Sequence, residues 1–399
     1  MKCIFPALLL FSSYLCFSQG RLLKGRVTDI NSKPVISASV FLSNTSSGTK
    51  TNDQGYFQLT VPEGKFDLVV SSIGYETFTR PLEAGTLSEL SVKLQPKAAE
   101  LENIVIEPFE KDGWQKWGRF FIENFIGTSA VAGKCEIKNA KAIRFRYSKS
   151  KNLLTAIALE PLIIENKALG YRLEYQLELF SYDFKSTYLS YLGYPFFQEL
   201  GGGRSKSKKW EKAREEVYYG SMMHFMRALY RNKIKEEKFE VRTMEKLPNI
   251  EKERVKIANQ ANYKTTKTAA GVIQMSVINA DSAAYYQKIL SQDDVKRIIG
   301  QHLLPGDSIA FAIDNLTAGL EFKNYLLVIY PKQAPPEYIQ RFPKSSTAMM
   351  SEIILINGNY VEIQSNGSYY DPLNLSSSGY WGWSEKIGTM LPFDYKTKQ

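Results

Sequence analysis

Between residues 21 and 96, apolar side chains occupy alternate positions in one short run after another, and each run stops at a turn signal. "YFQLTV" places Phe57, Leu59 and Val61 on one face of an extended chain; after the tight "PEG", "KFDLVVSS" does the same with Phe66, Leu68 and Val70. A period of two is that of a strand with one buried face. The runs recur at intervals of about 8–12 residues, with "INSKP", "TSSG" and "PEG" between them, so residues 21–96 are expected to form an all-β sandwich. The content of 24 Tyr and 22 Phe suits strands as well.

The stretch "KTNDQGYFQLTV" poses a question of function, because Asp53 stands beside a glycine and a strand. Asn52 to Gly55 matches a β-turn, in which Asx side chains bond the local backbone and Gly takes a positive φ. A calcium loop would need further oxygen ligands at alternating positions, where Tyr56 and Phe57 stand instead. Asp53 is therefore read as a turn residue.

The same region carries a family pattern. Gly25-x-Val27-x-Asp29 is followed by Pro34, Ala38 and Val40, then Thr51, Asp53, Gly55 and Phe57, then Ile73-Gly74-Tyr75. In this order the residues resemble the carboxypeptidase regulatory-like domain, as found in the N-terminal extension of TonB-dependent outer-membrane receptors of Bacteroidota. The resemblance implies a seven-stranded, transthyretin-like sandwich and an envelope location. Segments farther on, "EPLIIENKALGYRLEYQLE" and "YYGSMMHFMRALY" among them, are similar to Bacteroidota proteins bearing that domain, but imply no activity. The receptors continue into a plug and a large barrel. Here about 290 residues follow Pro108, too few for a plug and 22 strands of roughly ten residues each.

The domain accompanies peptidases without being one. A zinc carboxypeptidase needs His-x-x-Glu and a distant His. His224 is followed by Phe225-Met226-Arg227 and His302 by Leu303-Leu304-Pro305, so neither fits. No metal or other cofactor is expected.

Residues 1–18 combine Lys2 with an apolar core from Ile4 to Phe17 and a small-residue cut before Gln19, the pattern of a secretory signal peptide. Lipidation would use Cys16 behind bulky Tyr14 and Leu15, against the small-residue rule. Cleavage would remove Cys3 and Cys16, leaving Cys135 as a small hydrophobe without a disulfide partner. It would also remove Lys2 and bring the net charge from +10 to +9. Nucleic acid is not an expected partner of an exported chain, whereas anionic headgroups or acidic polysaccharide suit the charge. Much of that charge lies in "RSKSKKWEKAR" and "RNKIKEEKFEVR", where interspersed glutamates favour a solvated helix face. No window offers eighteen consecutive apolar residues, so no transmembrane helix is expected.

Residues 97–112 read as a linker, and 113–399 as a larger α+β domain. "DGWQKWGRFFIENFIG" repeats Trp114, Trp117, Phe121 and Phe125 at helical spacing. Strand patterns fill 142–200. A second helix is expected over 207–237, with Val217, Met222, Phe225, Met226 and Leu229 inward. Residues 249–309 are mixed and polar; strands return at "YLLVIYP" and "SEIILINGNYVEIQ", before an aromatic tail.

Chemistry is sparse. His224 reads as a packed helical residue and His302 as a loop residue. No Gly-x-Ser-x-Gly elbow or Walker loop occurs, and "GGGR" (201–204) reads as a joint. Tyr380, Trp381 and Trp383 are the binding candidates, as a stacking platform for sugar or peptide. Catalytic residues are not assigned. The expectation is a non-enzymatic cell-envelope protein, periplasmic or outer-membrane associated, that binds or assembles with an envelope protein or glycan. The alternative is a hydrolase with a non-local site after residue 113. A small outer-membrane barrel is a third possibility, opposed by the long charged helix near residue 220.

Overall fold

The computed structural model describes residues 20–82, 89–97, 108–267, 273–277, 279–343 and 345–398. The expected signal peptide and most of the expected linker lie outside them. Two compact units emerge, one of residues 1–126, 131–214 and 390–399, the other of 127–130 and 215–389. Residues 113–126 and 131–214 thus group with the sandwich, a division different from one at residue 113.

The period-two runs become seven strands: β1 (Arg21–Asp29), β2 (Ser39–Leu42), β3 (Gly48–Lys50), β4 (Tyr56–Val61), β5 (Phe66–Ser71), β6 (Phe78–Leu82) and β7 (Glu89–Leu94). They pair as β4-β1-β7 and β3-β2-β5-β6. Phe57, Leu59, Phe66, Leu68 and Val70 meet Leu23, Val27, Val40 and Val92 in one core, as the alternation requires. The turn before β4 is set by Asn52, whose Oδ1 accepts from the N–H of Gln54 (3.0 Å) and of Tyr56 (2.9 Å). Gly55 has φ +80°, and a Cβ there would stand 2.4 Å from the Val27 carbonyl. Asp53 is exposed.

In the same unit follow α1 (Gly113–Phe121), a π turn over Ile122–Ile126, and β8 (Cys135–Ile137), β9 (Ile143–Ser148), β10 (Leu153–Ala158), β11 (Leu162–Asn166), β12 (Tyr171–Asp183) and β13 (Tyr188–Glu199). These six strands form one sheet. β12 pairs with β11 and β10 along one edge and with β13 along the other. The register slips at Glu178, with Leu177 opposite Gly193 and Leu179 opposite Leu192. The extra residue reverses the alternation, so Tyr175 before it and Phe180 and Tyr182 after it share a face. Each meets α1 or its π turn: Tyr175 with Phe125 (5.1 Å between centroids), Phe180 with Phe121 (4.7 Å), Tyr182 with Phe120 (4.8 Å).

The opposite face of that sheet takes the sandwich. Phe41 and Val69, on the outer side of β2 and β5, are buried with Phe196 of β13, and the Phe41 and Phe196 rings stack at 5.1 Å. Backbone bonds join the layers, from Asn44 N–H to Pro195 O (2.8 Å) and Phe197 N–H to Thr45 O (3.0 Å). β5 is thus apolar on both faces, which explains its unbroken "LVV".

In the other unit the expected single helix over 207–237 is broken. α2 (Arg204–Tyr218), which runs across the unit boundary after Arg214, and α3 (Met222–Tyr230) are separated at Gly220. Gly220 takes φ +87°, and Ser221 caps α3 by accepting from His224 N–H. Then come β14 (Glu240–Pro248), α4 (Ile250–Ala261), β15 (Tyr263–Lys267), β16 (Ile273–Val277), α5 (Ala280–Leu290), β17 (Val295–Ile299), β18 (Ala310–Ala312), β19 (Thr317–Leu320) and β20 (Tyr325–Gln333). α6 (Pro336–Arg341), β21 (Ala348–Leu355), β22 (Val361–Gln364), β23 (Tyr369–Tyr370), β24 (Leu375–Gly379) and α7 (Tyr380–Ser384) complete it. The main sheet runs β17-β14-β20-β21-β24, a second β18-β19-β22-β23. Phe225, Met226 and Leu229 of α3 enter the core with Val241, Val328, Ile353 and Ile363.

If the Phe41 ring holds the two layers of the first unit together, Phe41→Ala costs about 3–5 kcal/mol. Ile73→Ala, at a side chain 76% exposed, stays within about 0.5 kcal/mol. Urea unfolding of the two variants checks the contrast, and equal costs would contradict the two-faced burial.

Candidate functional site

A cluster of titratable and hydrogen-bonding groups surrounds the break between α2 and α3. Gly220 N–H donates to His224 Nδ1 (3.1 Å), and Gly220 O accepts from Trp381 Nε1–H (2.8 Å). Met222 N–H, in the first turn of α3, donates to Glu385 Oε1 (3.0 Å). A carboxylate at that place meets the positive end of the helix.

His224 is 1% exposed. Tyr218, Tyr219, Phe239 and Tyr330 stand around its ring with centroids 4.8 to 5.6 Å away. Because Nδ1 accepts from Gly220, Nε2 carries the proton and donates to Glu237 Oε2 at 3.0 Å. Arg231 holds the other oxygen of Glu237 at 2.8 Å. Burial lowers the His224 pKa, with the Glu237 contact opposing. Burial alone would raise the Glu237 carboxyl, but bonding to His224 and Arg231 carries it below its usual value. A general base needs an open lone pair; here both nitrogens are engaged inside an aromatic wall. The expected packed role of His224 is what the structure shows.

Two neighbouring groups are more strongly perturbed. Burial pushes the Glu385 carboxyl up to about 7 and holds the Lys386 ammonium down to about 8. A carboxyl near neutrality can exchange a proton, which makes Glu385 a chemically poised group of the cluster. The sequence reading missed it, since Glu385-Lys386 looks like a solvated pair; the available signal was its position inside an aromatic run. Among the described residues no group of three or more His, Cys, Asp or Glu is arranged to hold a metal ion.

The candidate platform is corrected. Tyr380, Trp381 and Trp383 are 8%, 1% and 8% exposed. Trp381 is bonded to Gly220, and Trp383 Nε1–H donates to Thr128 Oγ1 (2.9 Å). Tyr338 packs between Tyr380 and Trp383 at 5.3 and 5.2 Å. Stacking on sugar needs an open ring face, and these rings cover the sheet instead. His302 lies exposed in a loop. The Cys135 thiol, pushed up to about 12 by burial, is unreactive at neutral pH.

The family comparison falls on the first strands. Residues 23–106 match the CarboxypepD_reg-like domain. This segment is a CarboxypepD_reg-like domain. A curated relative, the TonB-dependent receptor SusC of Bacteroides thetaiotaomicron, is 35% identical over 97 residues, which are 24% of this chain and 9% of the receptor. The chain therefore spans only a small part of that receptor's length. Two solved structures are also similar. One is a DUF3823 family protein from Bacteroides ovatus (11% identity, 46% of this chain, 83% of that chain, TM-score 0.15). The other is a putative membrane-associated protein of unknown function from Bacteroides fragilis (12% identity, 86% of this chain, 93% of that chain, TM-score 0.16).

The two perturbed groups give stability a definite pH dependence. Glu385 has its folded pKa raised from 4.5 to about 7, so its stabilising contribution is complete below 4.5 and is lost as pH rises to about 7. Lys386 has its folded pKa lowered from 10.5 to about 8, so its contribution is lost as pH falls from 10.5 to about 8. Below 6.5 His224 acts against Glu385, but it is present in wild type and variant alike. Urea unfolding across pH should show the wild-type advantage over Glu385→Gln shrinking from pH 4.5 to 7; because the Glu385 charge also helps to hold the Lys386 pKa up, the variant's alkaline limb should extend to lower pH.

Proposed function

We propose that this chain is an exported cell-envelope protein with a non-enzymatic binding or assembly role, carried by its CarboxypepD_reg-like domain. The observation behind this reading is the domain itself, shared with a TonB-dependent receptor. Periplasmic or outer-membrane association is the location proposed. Among the described residues no helix is long and apolar enough to cross a membrane.

The architecture suggests which surface binds. The sheet β3-β2-β5-β6 gives its outer side to the six-stranded sheet, while β4-β1-β7 presents Leu22 and Tyr56 exposed, with Arg26 lying over the Tyr56 ring at 5.2 Å. An aromatic and an arginine together are typical interface anchors. The occupant proposed is an envelope protein or glycan.

A second reading, a hydrolase, has Glu385 in its favour. Hydrolytic turnover that disappears in Glu385→Gln would establish it and overturn the non-enzymatic role.

Cell fractionation and affinity capture test the main reading. The chain should sediment with the envelope, and a partner held by the wild type should be lost, with about a tenfold or greater fall in affinity, from Arg26→Glu/Tyr56→Ala. Recovery in the cytoplasm, or identical capture by both proteins, would remove the proposal.

A further inference from the structure

The first turns of α2 break two rules of helix energetics together. The helix begins R-S-K-S-K-K, and its first turn contains no acid. Cations therefore crowd the end where free backbone N–H groups already concentrate positive charge. Arg204, Lys208 and Lys212 also follow one another at i, i+4 and i+8, where like charges repel. Arg204, Lys206, Lys208, Lys209 and Lys212 are all exposed. The nearby Glu211 is paired with Lys398 at 2.7 Å, so its charge is already matched.

The orientation of this face is fixed. On the opposite side, Trp210 Nε1–H donates to Lys167 O (3.1 Å). One turn later Arg214 donates from Nε to Leu169 O (2.8 Å) and from Nη1 to Glu199 (2.7 Å), with its guanidinium over the Tyr171 ring at 3.8 Å. These contacts turn the helix so that the cations point to solvent. A local conflict that persists on a rigid support marks a functional surface.

We propose that this face of α2 docks on a bilayer surface bearing anionic phosphate headgroups. The cations are mainly lysines, hydrated point charges that suit a diffuse field better than bidentate recognition of one ligand. The face has no aromatic ring for a sugar to stack on, because Trp210 is turned inward, and no apolar anchor for a protein interface. The inference rests on charge and geometry alone and is independent of the partner proposed for the sandwich.

Vesicle sedimentation with the full chain tests it. Vesicles of phosphatidylcholine with phosphatidylglycerol should bind the protein at low salt and release it as salt rises. Pure phosphatidylcholine vesicles report any contribution from the apolar leader. Arg204→Gln/Lys208→Gln/Lys209→Gln should bind the anionic vesicles on the order of a hundredfold more weakly. Removing three charges elsewhere, in Lys149→Gln/Lys151→Gln/Lys185→Gln, should change binding much less. Equal binding by the wild type and the α2 variant, equal losses in both variants, or attachment to polygalacturonate in preference to anionic vesicles would overturn the proposal.

Discussion

The unit formed by residues 127–130 and 215–389 turns on one peptide, that of Gly220. Its N–H orients His224, its carbonyl accepts the Trp381 indole, and the next residue caps α3. Only glycine fits, since φ is +87° and a Cβ would meet the Tyr330 ring at 2.8 Å and the Met349 sulfur at 2.9 Å. α3 delivers Phe225, Met226 and Leu229 to the core, and α7 closes one side of it. The aim of α3, the seat of the aromatic tail and the tautomer of the buried imidazole all follow from the geometry at that glycine.

The sealing of this cluster shapes how function is distributed. His224 and the three tail aromatics, the groups most suggestive of chemistry or ligand stacking, are committed to structure. The two surfaces proposed to bind lie in the other unit, the outer side of β4-β1-β7 and the cationic face of α2. Glu385 is the exception within the buried cluster. Its raised pKa reflects the cost of holding a carboxyl beside the core, offset in part by the helix end to which it is bonded.

What was legible in the sequence follows from how local each determinant is. The sandwich could be read because period-two burial and turn chemistry act over a few residues, as Phe57-Leu59 and Asn52-Gly55 show. The break at Gly220 was missed although Gly-Ser stands there, because Val217, Met222, Phe225 and Met226 keep helical spacing across it. The bulge at Glu178 hid the common face of Tyr175 and Phe180 in the same way. Trp381 and Trp383 were misjudged because burial depends on distant partners, the Gly220 carbonyl and the Thr128 hydroxyl. Docking of the sandwich left one trace, the two-faced "LVV" of β5, whose partner Phe196 is more than a hundred residues away.

The structural role of His224 is open to direct test by nitrogen NMR of its imidazole through a pH titration. With Nδ1 accepting from Gly220, Nε2 donating to Glu237 and burial lowering the pKa, the ring should remain a single neutral Nε2–H tautomer as pH falls from 7.5 through 6.5. Protonation at or above 6.5, or a mixture of tautomers at neutral pH, would contradict a sealed structural histidine and reopen the case for an accessible base.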